Sequence, residues 1–212
     1  MQDLVSAFVT LFVTIDPPGL APLFLAITAG MSRSERRQIG LRASIIAFCI
    51  LLLFALAGTG ILQVFGISIH SFRIAGGLLL FVIAFEMIFE RRQERHVRSA
   101  ERAVTQDEVR NIAVFPLAIP LIAGPGAISA TILLSGTQGP AIGRVALILI
   151  VAAILLITWG VFLLAERIDY LLGVTGRIVL TRLLGVILAA LAVQFVADGI
   201  IALLAGSGLF AA

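Results

Sequence analysis

The sequence predicts an all-α membrane protein whose chain crosses the bilayer six times. Of its 212 residues, 60% are hydrophobic and 13% are charged, which is too little charge to cover the surface of a soluble domain of this length. The mean hydropathy is +1.15. The apolar stretches are continuous and do not alternate with a period of two, which favours helical spans over a β-barrel.

Six apolar segments define the predicted spans, because about 20 consecutive apolar residues suffice to cross a bilayer. They cover roughly residues 4–29, 42–65, 72–89, 112–135, 144–165 and 181–205. A polar stretch separates the third segment from the fourth. We therefore predict one membrane domain built from a three-span unit over 1–89, a cytoplasmic linker over 90–111 and a second three-span unit over 112–212.

The arginines predict how the chain is oriented in the membrane. All fifteen basic residues are arginine. Only Arg73 and Arg144 lie on one side of the predicted spans, and the other thirteen lie on the opposite side. Because cytoplasmic loops carry the excess of positive charge, the rich side is predicted to be cytoplasmic and both termini periplasmic in a bacterial inner (plasma) membrane. Since these charges lie in loops between spans, the pI of about 10.4 does not indicate nucleic-acid binding.

Two interruptions lie inside apolar segments. In the first segment, Asp16 is followed by Pro17, Pro18 and Gly19, and prolines both lack an N–H donor and disfavour helix in the preceding residue. A helix break is therefore predicted near residues 15–19, with a restart around Gly19 or Leu20. Gly124, Pro125 and Gly126 form a matching interruption in the fourth segment. Matching interruptions in the two halves of a chain indicate a transporter site.

The two halves of the chain are predicted to be inverted repeats. Pro18-Gly19 matches Pro125-Gly126 at an offset of 107 residues, and the Arg73 to Gly76 spacing recurs from Arg182 to Gly185 at an offset of 109. Because each half holds an odd number of spans, the second half enters the membrane from the opposite side. The alternative is a chance likeness between helices rich in Ala, Leu and Gly.

The predicted breaks place two helix starts, near Leu20 and Ala127, close to the membrane midplane. Helix N-termini favour a carboxylate, and the carbonyl groups released at each break favour an ammonium group or a cation. A zwitterionic amino acid fits both. The alternative is a pair of packing kinks without a ligand.

The candidate site residues flank these breaks or lie on the last span. Asp16 is a candidate proton carrier, Na⁺ ligand or partner of a substrate ammonium, or a helix cap. Gln194 and Asp198 lie one helical turn apart, so they share a face and are predicted to line the pathway or brace the breaks. The remaining candidates are Thr14, Pro17, Pro18, Gly19, Gly124, Pro125, Gly126 and Ser129.

The sequence predicts neither a metal site nor an enzyme. His70 and His96 lack metal-ligand spacing, and no nucleophile–base pair is apparent. No cofactor is predicted, apart from H⁺ or Na⁺ as a coupling ion. The predicted partners are the lipid bilayer and a small-molecule substrate, and self-association is left open.

The chain resembles the MarC family, which is also classed as a neutral amino-acid transporter family. The resemblance covers nearly the whole chain and is carried by residues 16–22, 73–77, 123–126 and 182–185, together with Gln194 and Asp198-Gly199. It implies a six-span bacterial inner-membrane protein and, for some members, transport of small neutral amino acids such as glycine and alanine. The predicted function is thus a secondary transporter with alternating access. The alternatives are a non-transporting membrane partner or regulator, or an exporter of another small solute.

Overall fold

Every regular element in the described part of the chain is a helix. The structure, a computed structural model, describes residues 2–90, 112–137 and 142–206. The elements are α1 (Gln2–Ile15), α2 (Pro17–Ile27), α3 (Arg33–Val64), α4 (Ile69–Ile88), the distorted α5 (Ala113–Ile122), α6 (Pro125–Thr137), α7 (Ile142–Leu163) and α8 (Ala165–Gly206). The predicted linker over 90–111 lies outside the described residues, apart from Glu90.

The helices confirm the predicted all-α membrane class. Among the described residues, five stretches are long and apolar enough to cross a bilayer, and the number is six if the bent pair α5 and α6 counts as one span. The five are Leu4–Ile27, Arg33–Val64, Ile69–Ile88, Gly143–Leu163 and Ala165–Ala205.

Helix α3 begins at Arg33, well before the predicted start of the second span at residue 42. Ser32 and Glu35 explain the early start, because they form a capping box. The Ser32 N–H donates to Glu35 Oε2 at 2.8 Å, and the Glu35 N–H donates to Ser32 Oγ at 3.3 Å. These two bonds give two helix-start N–H groups side-chain oxygen acceptors, so the helix extends beyond the apolar segment.

The prediction of a loop between the fifth and sixth spans, over residues 166–180, is wrong. These residues belong to α8, which begins at Ala165 and continues to Gly206. The interruption within it is a single residue, Gly173, whose backbone has φ 59° and ψ −175°. Glycine adopts such a conformation without a Cβ clash. Arg177 forms an ion pair with Asp169 across this interruption, so polar residues that suggested a loop are part of a helical element.

Helices α4 and α8 pack closely along an antiparallel seam. A Cβ atom on Gly77 would lie 2.9 Å from the Ala192 carbonyl oxygen, and one on Gly185 would lie 3.1 Å from the Ala84 carbonyl oxygen. Glycine at these two positions therefore permits the close approach of α4 and α8. Gly76 instead faces α6, where its Cβ would approach Leu133 Cδ1 to 2.7 Å. Small residues at helix contacts let backbones approach in this way.

Replacing Gly77 with alanine is expected to destabilise the fold, because the added methyl group meets backbone atoms of α8 that cannot turn away. Overpacking of this kind costs about 1–3 kcal/mol. The melting temperature of the protein in detergent measures the effect. Gly60→Ala is the matched control, since a Cβ at that helical position has no neighbour within 4 Å. Equal melting temperatures for the two variants would contradict the close packing of α4 against α8 at Gly77.

The segment formed by α1 and α2 lies at the centre of the bundle. In its most apolar 18-residue stretch, 61% of the residues are buried, compared with 17% in the corresponding stretch of α8. Leu11, Leu20 and Phe24 are almost fully buried. The Phe24 ring stacks on that of Phe162 from α7, with a centroid distance of 4.4 Å. The first interruption is thus surrounded by protein on most sides.

Candidate functional site

The first interruption is a single residue, Asp16, between α1 and α2. Its backbone is left-handed, with φ 55° and ψ 60°. The Asp16 N–H donates to the Phe12 carbonyl oxygen at 2.9 Å, and the Asp16 carbonyl accepts from the Leu20 N–H at 3.1 Å. Asp16 therefore completes the last turn of α1 and opens the first turn of α2.

The restart of the helix lies earlier than the sequence predicts. Helix α2 begins at Pro17 instead of Gly19 or Leu20, with Pro17 and Pro18 in its first turn. Proline suits this position because the first N–H groups of a helix have no intrahelical acceptor, and its fixed φ is already helical. The prolines thus interrupt α1 and start α2 at the same place.

The Asp16 side chain caps the helix that follows it. Its Oδ1 atom accepts a hydrogen bond from the Gly19 N–H at 3.2 Å, and the residue is only 5% exposed. A Cβ atom on Gly19 would lie 2.2 Å from Asp16 Oδ2, so this arrangement requires glycine at that position. The capping interpretation of Asp16 is confirmed, and a function for its carboxyl group is compatible with it.

The second interruption combines a distorted helix with a bend. Helices α5 and α6 meet at an angle of 57°. Helix α6 begins at Pro125, two residues before the predicted start near Ala127. A Cβ atom on Gly124 would lie 2.5 Å from the Pro120 carbonyl oxygen, so glycine permits the close backbone approach at the bend.

Sequence reasoning missed the distortion of α5. Phe115 and Ile119 have extended backbone conformations within it, each immediately before a proline. The Ala123 N–H donates to the Ala118 carbonyl oxygen at 2.9 Å, five residues back, as in a π-helix. The signal was available in Pro116 and Pro120, which lie four residues apart in an apolar segment.

The structure brings the two interruptions into contact. A Cβ atom on Gly126, in the first turn of α6, would lie 3.2 Å from Thr14 Cγ2, in the last turn of α1. The same atom would lie 2.3 Å from Ile83 Cδ1 of α4. We call this meeting point of α1, α4 and α6 the Thr14–Gly126 contact. Ile83 had no sequence signal, since it is one of many apolar residues in its span.

Three buried threonines lie on α1 and α6, the helices that carry Thr14 and Gly126. Thr10, Thr14 and Thr131 are buried. Their hydroxyl groups donate to the carbonyl oxygens four residues earlier, at 2.7, 2.6 and 2.7 Å respectively. These hydroxyl groups thus place polar oxygen atoms within the apolar core of α1 and α6.

The other predicted site residues differ in burial. Pro17 and Gly19 are buried, Pro18, Gly124 and Ser129 are half-buried, and Pro125 is exposed. The chain around the start of α6 is therefore more exposed than that around the start of α2, although Gly126 itself is buried.

Gln194 and Asp198 form a separate pair on α8. Gln194 Nε2 donates to Asp198 Oδ1 at 2.8 Å, which confirms that they share a face. Gln194 is exposed and Asp198 is half-buried. The structure does not place this pair in the buried Thr14–Gly126 contact.

Comparison with known proteins places these features in a family. The model of the family described as "MarC family integral membrane protein" matches residues 1–204. A UPF0056 membrane protein of Archaeoglobus fulgidus is 42% identical, over 92% of this chain and 91% of its own length. YhcE of Escherichia coli is 39% identical over 91% and 89%, and YvbG of Bacillus subtilis is 38% identical over 93% of each chain. Both are named UPF0056 membrane proteins. No solved structure matches the chain significantly.

Proposed function

The chain belongs to the MarC family of integral membrane proteins, and on that premise we propose that it is a secondary transporter of small neutral amino acids. The observation that carries this proposal is the Thr14–Gly126 contact. This contact lies between the two interruptions. At each of them, a helix that begins with proline, α2 or α6, starts inside an apolar segment. Substrate sites of secondary transporters are commonly built from such discontinuous helices.

The two helix starts supply different chemistry to a zwitterionic ligand. At α2, the Asp16 carboxylate already accepts from a first-turn N–H group, at Gly19. Helix α6 has no acidic residue in its first turn, so its N–H groups and positive dipole end are suited to a substrate carboxylate. Asp16 and the threonine hydroxyl groups are suited to the ammonium group or to a coupling ion, H⁺ or Na⁺.

The size of the proposed substrate follows from the same contact. Ile83 and Thr14 approach Gly126 so closely that a single added carbon would already be crowded. Glycine and alanine, which have at most one side-chain carbon, are the amino acids that such a site accommodates with the least displacement. Any substrate bound there requires α4 and α6 to move apart, and larger apolar side chains would require a larger movement than glycine or alanine.

Contacts at the seam between α4 and α8 support an inverted repeat. Gly77 lies against the Ala192 carbonyl, and Gly185 lies against the Ala84 carbonyl. Gly77 and Gly185 are 108 residues apart, and so are Ala84 and Ala192, so the two contacts are equivalent with the two helices exchanged. The same shift of 108 residues relates Pro17, the first residue of α2, to Pro125, the first residue of α6. Exchange of partners is the property of a two-fold axis.

In the proposed orientation the arginine-rich helix ends are cytoplasmic and both termini periplasmic.

Cysteine labelling at Ser129 tests alternating access at this site. Ser129 lies one turn into α6 and is half-buried, and the exposed Cys49 is first replaced by alanine. We expect Ser129→Cys to react with a membrane-impermeant maleimide added from either side of the membrane, and glycine or alanine to slow the reaction.

Ser71→Cys is the control, because Ser71 is exposed near the start of α4. It should react from one side only, at a rate that is independent of amino acid. Labelling of Ser129→Cys from a single side, without protection by amino acid, would contradict the proposal.

A further inference from the structure

A charged cavity lies at the arginine-rich ends of α2, α3, α7 and α8. Its volume is about 340 Å³, within the range of about 300–1,000 Å³ that is usual for small-molecule sites. Four arginines and one glutamate contribute to its lining, namely Arg33, Arg36, Arg37, Arg167 and Glu166. These five charged residues give the cavity an excess of three positive charges.

The glutamate neutralises only part of this charge. Glu166 Oε1 accepts from Arg36 Nη1 at 2.7 Å, and Arg36 Nε also donates to the Thr28 carbonyl oxygen at 3.3 Å. Arg33 lies farther from Glu166, at 3.7 Å, and its side chain is 93% exposed. Arg37 and Arg167 have no carboxylate partner among the described residues. Arg37 and Arg167 are thus available to an anion, and Arg33, whose ion pair with Glu166 is long and exposed, can join them.

The remaining wall of the cavity is apolar and faces outward. Leu163 and Leu164, at the end of α7, line the cavity and are about half-exposed. On the inner side, Phe162 stacks on the buried Phe24 ring and separates the cavity from the helix core. A ligand would therefore enter from the membrane surface, by a route distinct from the Thr14–Gly126 contact.

We propose that this cavity binds a phosphate group, held by Arg33, Arg37 and Arg167. Guanidinium groups bind phosphate oxygens through paired, charge-assisted hydrogen bonds. The phosphate comes from the headgroup of an anionic phospholipid or from inorganic phosphate. The exposed leucines beside the arginines favour the lipid, since its acyl chains would lie against them, and basic pockets between membrane helices bind such headgroups.

Binding measurements on the purified full-length protein in detergent test this site, with phosphatidylglycerol and inorganic phosphate as separate probes. We expect the double variant Arg37→Gln and Arg167→Gln to weaken binding about 25-fold, at about 1 kcal/mol per arginine. Glu166→Gln should strengthen binding about 5-fold, because it frees Arg36. The double variant Arg42→Gln and Arg144→Gln is the matched control, since both arginines are exposed and neither lines the cavity.

The outcomes separate the two sources of phosphate. Arginine-dependent binding of phosphatidylglycerol without binding of inorganic phosphate identifies a lipid site, and the reverse identifies a site for the free ion. Binding of both probes through these arginines identifies a general phosphate site. If neither probe binds, or if the cavity variant and the control bind equally well, the proposal is overturned. Melting temperatures of the variants without ligand verify that each is folded.

Discussion

Replacing Asp16 with asparagine is expected to abolish the accumulation of amino acid driven by a pH difference. Asparagine can still accept the hydrogen bond from the Gly19 N–H, and it caps helices as well as aspartate does. It cannot take up or release a proton. If one proton accompanies each substrate, a difference of one pH unit supports about tenfold accumulation, because one unit corresponds to 1.36 kcal/mol. The variant should reduce this ratio to about one.

Exchange should survive the same substitution, since it requires binding and reorientation of the site without net proton movement. Proteoliposomes preloaded with unlabelled glycine and exposed to labelled glycine measure it. Asp169→Asn is the matched control: its carboxyl group also accepts a side-chain hydrogen bond within α8, from Arg177, but Asp169 is not one of the candidate site residues. That variant should retain accumulation.

Unchanged accumulation by Asp16→Asn would leave Asp16 with its capping role alone. Loss of exchange together with accumulation would indicate a direct contact with substrate or a collapsed site. A thermal-shift titration with glycine distinguishes these two causes, because a collapsed site lowers the melting temperature before any ligand is added.

The fold class and the interruptions were predictable from sequence because they depend on local chemistry. Continuous apolar segments indicate spans wherever they occur, and Pro17, Pro18 and Pro125 remove N–H donors whatever their neighbours are. Helix ends were less predictable. The capping box at Ser32 begins α3 outside the apolar segment, and α8 includes polar residues that resemble a loop.

The site was predictable only in part. Asp16 could be identified because a carboxylate is costly inside an apolar segment, and Gly126 because it follows a proline in a matching interruption. Ile83 could not, because its role depends on how α4 packs against α6. Helical spacing correctly placed Gln194 and Asp198 on one face, but spacing alone does not show which face of an apolar helix points inward.

Uptake by the purified protein tests the account most directly. In proteoliposomes with an imposed pH or Na⁺ gradient, we expect accumulation of labelled glycine and alanine well above that in protein-free liposomes. Gly126→Leu is the matched negative control, because its side chain would collide with Thr14 and Ile83 and so disrupt the Thr14–Gly126 contact. That variant should show uptake close to the protein-free level.

Absence of amino-acid flux would contradict the proposed function. If folded wild-type protein moves neither amino acid under either gradient, and does not exchange them without a gradient, it is not a transporter of small neutral amino acids. Flux of a different small solute would then identify an exporter with another substrate, and the absence of any flux would favour a membrane partner or regulator. Gradient-dependent accumulation of glycine and alanine by wild type, with none in Gly126→Leu, is the result that the proposed site predicts.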